Sequence, residues 1–141
     1  QYLQDYIALQ KVRLGNRLTI NSHWPKSSQT VEIAPLLFLV ILENAFKHGA
    51  ESQQGNAKVE VSLTVIPSKH KEGEVLVRFE CCNSFELEHE LAQKQYSGVG
   101  LYNLKQRLAL LYPYRHSYKV LRERSKQQST QNWRTILEIT L

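Results

Sequence analysis

Four polar residues fall close together at the end of a strongly apolar segment. The stretch PLLFLVILENAFKHGA occupies positions 35–50, and its first half is almost entirely apolar. Glu43, Asn44, Lys47 and His48 then follow in quick succession. An acid, an amide, an amine and an imidazole are residue types that serve in proton transfer, metal binding and phosphate binding.

The spacing of these residues predicts that they lie on a helix. Asn44 and His48 are four positions apart and share one helical strip, and Glu43 and Lys47 share the neighbouring strip. The apolar residues that continue both strips toward the N-terminus are Leu36, Leu37, Val40 and Ile41. The polar groups therefore extend rows that face the core in part. A simpler interpretation stays open, in which the helix dipole favours cations at this end and Glu43 pairs with Lys47.

A second candidate segment is SGVGLYNLKQRLALLYP, positions 97–113. Gly98 and Gly100 precede a helical pattern there, and exposed N–H groups at the start of a helix can bind anions. A flexible loop that enters a helix remains the alternative. The Walker motif GxxxxGK[ST] is absent from the sequence, and so is the dinucleotide motif GxGxxG.

Composition is that of one soluble globular domain. The chain has 141 residues, of which 42% are hydrophobic and 22% charged, and its longest apolar run falls short of a membrane helix. The net charge of +5 is compatible with nucleic acid, anionic lipid or a phosphorylated small molecule. Cys81 and Cys82 are adjacent, which disfavours a disulfide and indicates a reducing compartment. The chain begins at Gln1 and contains no Met, so we expect it to be a piece of a longer protein.

Periodicity predicts three helices and five strands that could position these segments. In chain order they are helix 1–14, strand 17–24, helix 34–49, strands 57–66 and 74–82, helix 98–112, and strands 117–122 and 133–141. We expect the polar, acidic segment 84–97 to have no strand. Strands that run in groups between helices predict an α+β fold: a two-layer α/β sandwich in which the helices cover one face of a mixed sheet.

The two segments in combination resemble the ATP-binding catalytic domain of sensor histidine kinases, which belongs to the GHKL superfamily and has a Bergerat-type fold. The resemblance rests on LENAFKHG, GVGLYNLKQRL and the leading helix YLQDYIALQKVRLGNRL, in that order along nearly the whole chain. It is strongest to the kinases that are paired with LytTR-type response regulators. It implies a linker helix at residues 1–16, which leads from an upstream dimerisation and phosphoacceptor segment, and an ATP-binding catalytic domain at residues 17–141.

The resemblance implies a role for each residue of the two segments. Asn44 would supply its side-chain oxygen to Mg²⁺, a hard ion that prefers oxygen ligands. Lys47 and His48 would stabilise phosphate charge, and Glu43 would act as a base or orient the attacking group. The residues that would bind the nucleotide at the start of the later helix are Gly98, Val99, Gly100, Leu101 and Asn103. Segment 86–95 would be the mobile lid over ATP.

The resemblance further implies that the γ-phosphate passes to a histidine upstream of residue 1. His23, His70, His89 and His116 are expected at the surface instead. The partners would be ATP, a response regulator of LytTR type and a second copy bound through the upstream segment. We expect no direct contact with nucleic acid, and a cytoplasmic location with membrane attachment only through the parent protein.

The chain departs from the superfamily pattern at the site for the adenine base. The superfamily carries D-x-G-x-G there, whereas this chain has Cys82, Asn83, Ser84 and Phe85 after the strand. The Asn83 carbonyl can still accept from the adenine amino group, as an uncharged and weaker acceptor. Asn83 could instead be a turn residue that follows the strand.

Two other functions stay open at this stage. The loss of D-x-G-x-G fits a degenerate, non-catalytic module that acts in protein interaction. The basic charge fits a nucleic-acid binder, for which salt-dependent binding would be expected.

Overall fold

Helices and strands follow one another along the chain in the predicted order. The structure, a computed structural model, describes residues 2–15, 18–25, 35–47, 57–67, 69, 71–85, 98–124 and 131–141. The elements are α1 (Tyr2–Leu14), β1 (Leu18–His23), α2 (Pro35–Ala45), β2 (Ala57–Pro67), β3 (Val75–Phe85), α3 (Gly98–Leu111), β4 (His116–Arg124) and β5 (Gln131–Thr140).

The five strands form one mixed sheet in the order β1-β2-β3-β5-β4. β1 and β2 run parallel, and the other three neighbouring pairs are antiparallel. Parallel neighbours need a long crossover connection, and α2 lies within the segment between β1 and β2. The second helix is therefore carried across one face of the sheet, where it can meet the later strands.

Alternation along the strands gives the sheet an apolar face and a polar face. Val59 and Val61 of β2 and Val77 and Phe79 of β3 are buried, while Lys58 and Glu60 between them are exposed. The apolar side chains form one core with the helices. This core fixes the strand register, because a slip of one residue would expose it.

α2 lies at the centre of the helical layer. It packs against β3 and against both other helices. The rings of Phe38 on α2 and Phe79 on β3 stack with their centroids 4.8 Å apart, and those of Tyr6 on α1 and Phe46 meet edge to face at 5.6 Å. The predicted two-layer α+β sandwich with a mixed sheet is confirmed.

α1 contributes to the same core. Its side chains Leu3 and Ile7 are buried, and the helix contacts α2 and β1. The boundary proposed at residue 16 between a linker helix and the catalytic domain stays a prediction.

β3 extends past the end that the sequence pattern indicates. β3 was expected to end at Cys82, but it continues to Phe85, so Asn83 and Ser84 lie within the strand. Asn83 is paired with Val59 of β2 on one side and with Trp133 of β5 on the other. The interpretation of Asn83 as a turn residue is therefore wrong, because hydrogen-bonded neighbours on both sides hold this polar stretch extended.

None of the helices among the described residues is long and apolar enough to cross a membrane.

Candidate nucleotide site

The C-terminal end of α2 places Asn44 at the margin of the core. Asn44 is half-buried, and its Nδ2 atom is buried with no hydrogen-bond partner in the described part of the chain. Ile41, three residues earlier on the same strip, is 3% exposed. The predicted strip of polar residues that continues a core-facing row is therefore present at Asn44. A buried amide nitrogen without a partner is uncommon in a folded protein, and as a donor it suits an acceptor such as a phosphate oxygen.

The helix changes its geometry immediately after Asn44. Regular α-helix ends at Ala45, and Phe46 and Lys47 follow in a wider, π-helical turn. Phe46 is fully buried and anchors the turn, whereas Glu43 and Lys47 are exposed. Turns of this kind are rare and occur often at functional sites. The structure thus turns the charged groups of this segment toward solvent while the amide stays at the core margin.

The ion pair considered for this helix end does not form. Glu43 and Lys47 are both described, and the structure shows no salt bridge between them. The pairing assumed regular helical spacing, which the wider turn alters by rotating Lys47 relative to Glu43. His48, the remaining candidate of this segment, lies outside the described residues, as does Gly49.

Asn83 lies at the far end of β3 on the helix-facing side of the sheet. It shares this face with Phe79 and Cys81 by the alternation of the strand, and it is 6% exposed. Its Nδ2 donates to the backbone oxygen of Ser84 over 3.3 Å. The residue predicted to meet the base is therefore a buried polar side chain on the face that the helices cover.

The glycine segment forms the first turn of α3. Gly98, Val99, Gly100 and Leu101 are its first residues, so the glycines lie within the helix instead of preceding it. The N–H groups of a first turn have no partner within their own helix, which keeps them available to an anion. Segment 86–95, the expected lid, lies outside the described residues.

Polar residues further along α3 point to solvent. Asn103 and Arg107 are exposed. Tyr102 is 62% exposed, and its hydroxyl accepts a hydrogen bond of 2.9 Å from Gln106 Nε2. The partner four residues away on the same helical strip accounts for this position.

α2 packs against the elements that carry the other candidate residues. α2 contacts β3, which carries Asn83, and α3, which begins at Gly98. No hydrogen bond or ion pair joins the candidate side chains to one another within the residues that the structure describes. The candidate residues therefore lie on α2, β3 and α3, elements that pack around α2, without contacting one another through these side chains.

Solved catalytic domains of histidine kinases share this arrangement of helices and sheet. The catalytic domain of histidine kinase ThkA superposes with a TM-score of 0.56 at 15% identity, covering 98% of this chain and 86% of that one. The mycobacterial sensor histidine kinase MprB superposes at 0.53, again with 15% identity, over 97% of this chain and 91% of that one. The histidine kinase domain of the blue-light activated kinase from Erythrobacter litoralis EL346 gives 0.52 at 14% identity, over 98% of this chain and 62% of that one.

The chain has the fold of a histidine kinase catalytic domain. Sequence comparison leads to the same group of proteins: the sensor protein LytS of Bacillus cereus is 26% identical over 121 residues, which are 79% of this chain and 19% of that protein. LytS of Bacillus anthracis matches equally well. The chain thus spans about a fifth of the length of the curated relatives that it matches. No protein-family model matches the chain.

The histidine kinase fold confirms the resemblance that the two motifs predicted. Two residues that lie beside Asn83 in the sheet had not been singled out from the sequence. Trp133 stands opposite Asn83 in the sheet, and the guanidinium carbon of Arg122 lies 5.5 Å from the centroid of the Trp133 ring. Trp133 and Arg122 project from the same face of the sheet as Asn83, because Trp133 is opposed in register to Asn83, and Arg122 to Trp133. Their proximity depends on the pairing of β3, β5 and β4, which the sequence does not reveal.

A separate groove lies on the opposite face of the sheet. Its volume is about 270 Å³, and its lining includes Glu80, Cys82 and Arg134. Glu80 and Arg134 form an ion pair of 3.4 Å in it. Because these side chains alternate with those that face the helices, the groove is separated from the candidate nucleotide site by the sheet itself.

Proposed function

We propose that this chain is the ATP-binding catalytic domain of a two-component sensor histidine kinase, which transfers the γ-phosphate of ATP to a histidine outside these 141 residues. The observation that carries the proposal is the placement of Asn44: a half-buried amide at the end of the helix that packs on β3 and α3, with a nitrogen that has no partner among the described residues. The likeness to LytS proteins supports it independently.

Asn44 suits a hard cation through its amide oxygen. Among the described residues no three His, Cys, Asp or Glu side chains come close enough to hold a metal, so Mg²⁺ would take its other ligands from the ATP phosphates and water. Bound Mg²⁺ would offset the negative charge on those phosphates. The side-chain oxygen of Asn44 would hold the metal and so orient the triphosphate at this end of α2.

The remaining candidates divide between charge stabilisation and proton transfer. Lys47 and His48 would donate to phosphate oxygens, and the first-turn N–H groups of Gly98, Val99 and Gly100 would do so from the other side. Leu101 would contact the nucleotide and Asn103 would reach the phosphates. Glu43, one residue before the metal ligand, would accept a proton or orient the attacking histidine. Asn83 would accept a hydrogen bond from the adenine amino group.

A response regulator is the partner that this activity requires downstream. Histidine kinase ThkA has been solved in complex with the response regulator TrrA, and the present chain superposes on that kinase with a TM-score of 0.54 at 14% identity, covering 99% of this chain and 38% of that one. The resemblance of the motifs to kinases paired with LytTR-type regulators implies that the regulator would be of this type. Dimerisation would involve a segment upstream of residue 1, and attachment to a membrane would come through the parent protein.

The alternative of a non-catalytic interaction module is less favoured. It was motivated by the replacement of the acid at position 83, but Asn83 is buried on the helix-facing side, where its amide can still take part in binding. Of the two other motifs, GVGLYNLKQRL lies on α3, and the first four residues of LENAFKHG lie on α2, which packs against α3.

Calorimetric titration of the 141-residue chain with Mg·ATP tests the binding proposal. We expect binding that depends on Mg²⁺, and a loss of at least tenfold in affinity in Asn44→Ala. Asn21→Ala is the matched control, because Asn21 is an exposed amide on β1 that lines the groove of the opposite face. Absence of binding by the unaltered chain at millimolar Mg·ATP would contradict the proposal.

Phosphoryl transfer needs a separate measurement. A longer form of the protein that includes the phosphoacceptor histidine should become labelled by γ-³²P ATP, and Asn44→Ala should remove the label. Binding of ATP without labelling of that longer form would leave the non-catalytic alternative as the better description.

A further inference from the structure

Four strands contribute one residue each to a row that crosses the sheet at Asn83, the residue proposed to bind the adenine base. Val59 of β2 is paired with Asn83 of β3, Asn83 with Trp133 of β5, and Trp133 with Arg122 of β4. Directly opposed residues of neighbouring strands project from the same face. Val59 is buried in the core beneath the helices, so the whole row faces the helical side. We call these four residues the cross-sheet row.

The amide of Asn83 has a defined orientation within this row. Its Nδ2 donates to the Ser84 backbone oxygen, and the Ser84 hydroxyl in turn accepts from the N–H of Lys58 over 3.0 Å. The amide nitrogen is thus engaged within the strand, and Oδ1 is the atom that Asn83 can present to a ligand. An acceptor at this point suits the exocyclic amino group of adenine and opposes the carbonyl oxygen that guanine carries at the same position.

Trp133 stands directly beside that acceptor. It is half-buried, and the Cβ atoms of opposed residues in an antiparallel pair lie about 4.5–5.5 Å apart. The Arg122 guanidinium lies over the indole at 5.5 Å from its centroid, which restrains the ring. An indole held in this way offers an aromatic surface next to a hydrogen-bond acceptor, the combination by which proteins bind nucleobases.

We propose that Trp133, restrained by Arg122, is a specificity-determining residue that packs against the adenine base whose amino group Asn83 accepts. The proposal rests on the proposed nucleotide-binding function and adds to it the group that holds the base. It also accounts for an uncharged acceptor at position 83, since aromatic contact from Trp133 compensates for the weaker hydrogen bond of an amide.

Titration of three ligands separates contacts to the base from contacts to the phosphates. Mg·ATP, Mg·GTP and Mg·tripolyphosphate, which has no base, are added to the unaltered chain and to Trp133→Leu. We expect Trp133→Leu to weaken the affinity for ATP at least tenfold and to reduce the preference for ATP over GTP. The affinity for tripolyphosphate should be unchanged. Trp133→Phe keeps an aromatic ring and should stay within about threefold of the unaltered chain for ATP.

Fluorescence reports on the indole itself. The chain has two tryptophans, and Trp24→Phe leaves Trp133 as the single tryptophan, whose emission is followed with excitation at wavelengths that tyrosine does not absorb. We expect ATP to change its emission and tripolyphosphate to leave it unchanged. Arg122→Gln should weaken the affinity for ATP several-fold, because the restraint on the Trp133 ring is lost. Unfolding midpoints of all variants show whether a variant has lost affinity by losing its fold.

The outcomes distinguish this inference from the function on which it rests. If the unaltered chain binds ATP but Trp133→Leu binds ATP, GTP and tripolyphosphate just as well, the inference is overturned and the proposed function stands. If Trp133→Leu binds ATP more tightly, Trp133 occupies the place of the base, and the inference is again overturned. If the unaltered chain binds no ATP, both are overturned.

Discussion

At the scale of single residues, the surroundings of a polar side chain decide, more than its residue type, which kind of ligand it can bind. Asn44 and Asn83 are both asparagines, and the sequence treats both as candidate ligands. In the described part of the chain, the buried nitrogen of Asn44 has no hydrogen-bond partner, while Asn83 engages its nitrogen with the Ser84 oxygen. The first keeps a donor that suits an acceptor such as a phosphate oxygen, and the second presents one oriented oxygen. The orientation of Asn83 is compatible with the base recognition proposed for it, and the metal proposed at Asn44 would bind through the other atom of that amide, its oxygen.

The adjacent cysteines provide a test of burial at this scale. Cys81 faces the core at 1% exposure, and burial, with a smaller contribution from the charge of Cys82, raises the pKa of the Cys81 thiol to about 12. In the unfolded chain the thiol ionises near its ordinary pKa of about 9, so the folded state binds more protons between these values. Stability is therefore unaffected by this group below pH 9 and falls as the pH rises from 9 toward 12.

We predict that Cys81→Ala loses stability less steeply than the unaltered chain over this interval. The difference in slope should approach about 1.4 kcal/mol per pH unit, the value for one proton. Urea unfolding at several pH values from 8 to 11 measures it. Cys82→Ala is the matched control, because Cys82 lies on the opposite face and is half-buried; a parallel slope for Cys81→Ala and the unaltered chain would contradict the assignment.

At the scale of elements, packing decides where a helix or strand ends. The apolar rows of α2 and α3 are visible in the sequence, and both helices form where they were expected. β3 continues past its apolar stretch because β2 and β5 supply hydrogen bonds on either side as far as Asn83, and β5 alone does so as far as Phe85. Asn83 thus lies on a strand, where its side chain is held more rigidly than in a turn.

α3 allows a matched comparison of buried and exposed leucines. Leu108 is fully buried and belongs to the core, whereas Leu110 on the same helix is 79% exposed. We predict that Leu108→Ala lowers the free energy of unfolding by about 2–5 kcal/mol, through lost burial and the cavity that remains. Leu110→Ala should change it by no more than about 0.5 kcal/mol. Urea unfolding measures both, and equal losses in the two variants would show that α3 packs through a different face.

At the scale of the whole molecule, strand order determines which strands are most protected from hydrogen exchange. β3 lies at the centre of the order β1-β2-β3-β5-β4, and β4 lies at an edge with one neighbour in the described sheet. Opening the edge strand breaks one ladder of hydrogen bonds, whereas opening β3 breaks two and uncovers Phe79.

Hydrogen exchange in the native state should follow this order. We predict that the slowest amides of β3 (Val75–Phe85) exchange at least tenfold more slowly than the slowest amides of β4 (His116–Arg124). Exchange monitored by NMR gives both rates residue by residue. Equal protection of β3 and β4 would contradict a central position for β3 or indicate that a partner covers the edge of β4.

The sequence by itself determined the helices, most of each strand and the two motifs, because these depend on periodicity and on residues close together in the chain. It predicted the histidine kinase resemblance for the same reason, since LENAFKHG and GVGLYNLKQRL are each local patterns. Only the tertiary structure decided the strand order, the extension of β3 and the contact of Arg122 with Trp133. These depend on which distant strands pair and in what register, and that choice is made by the shared core and not by any single segment.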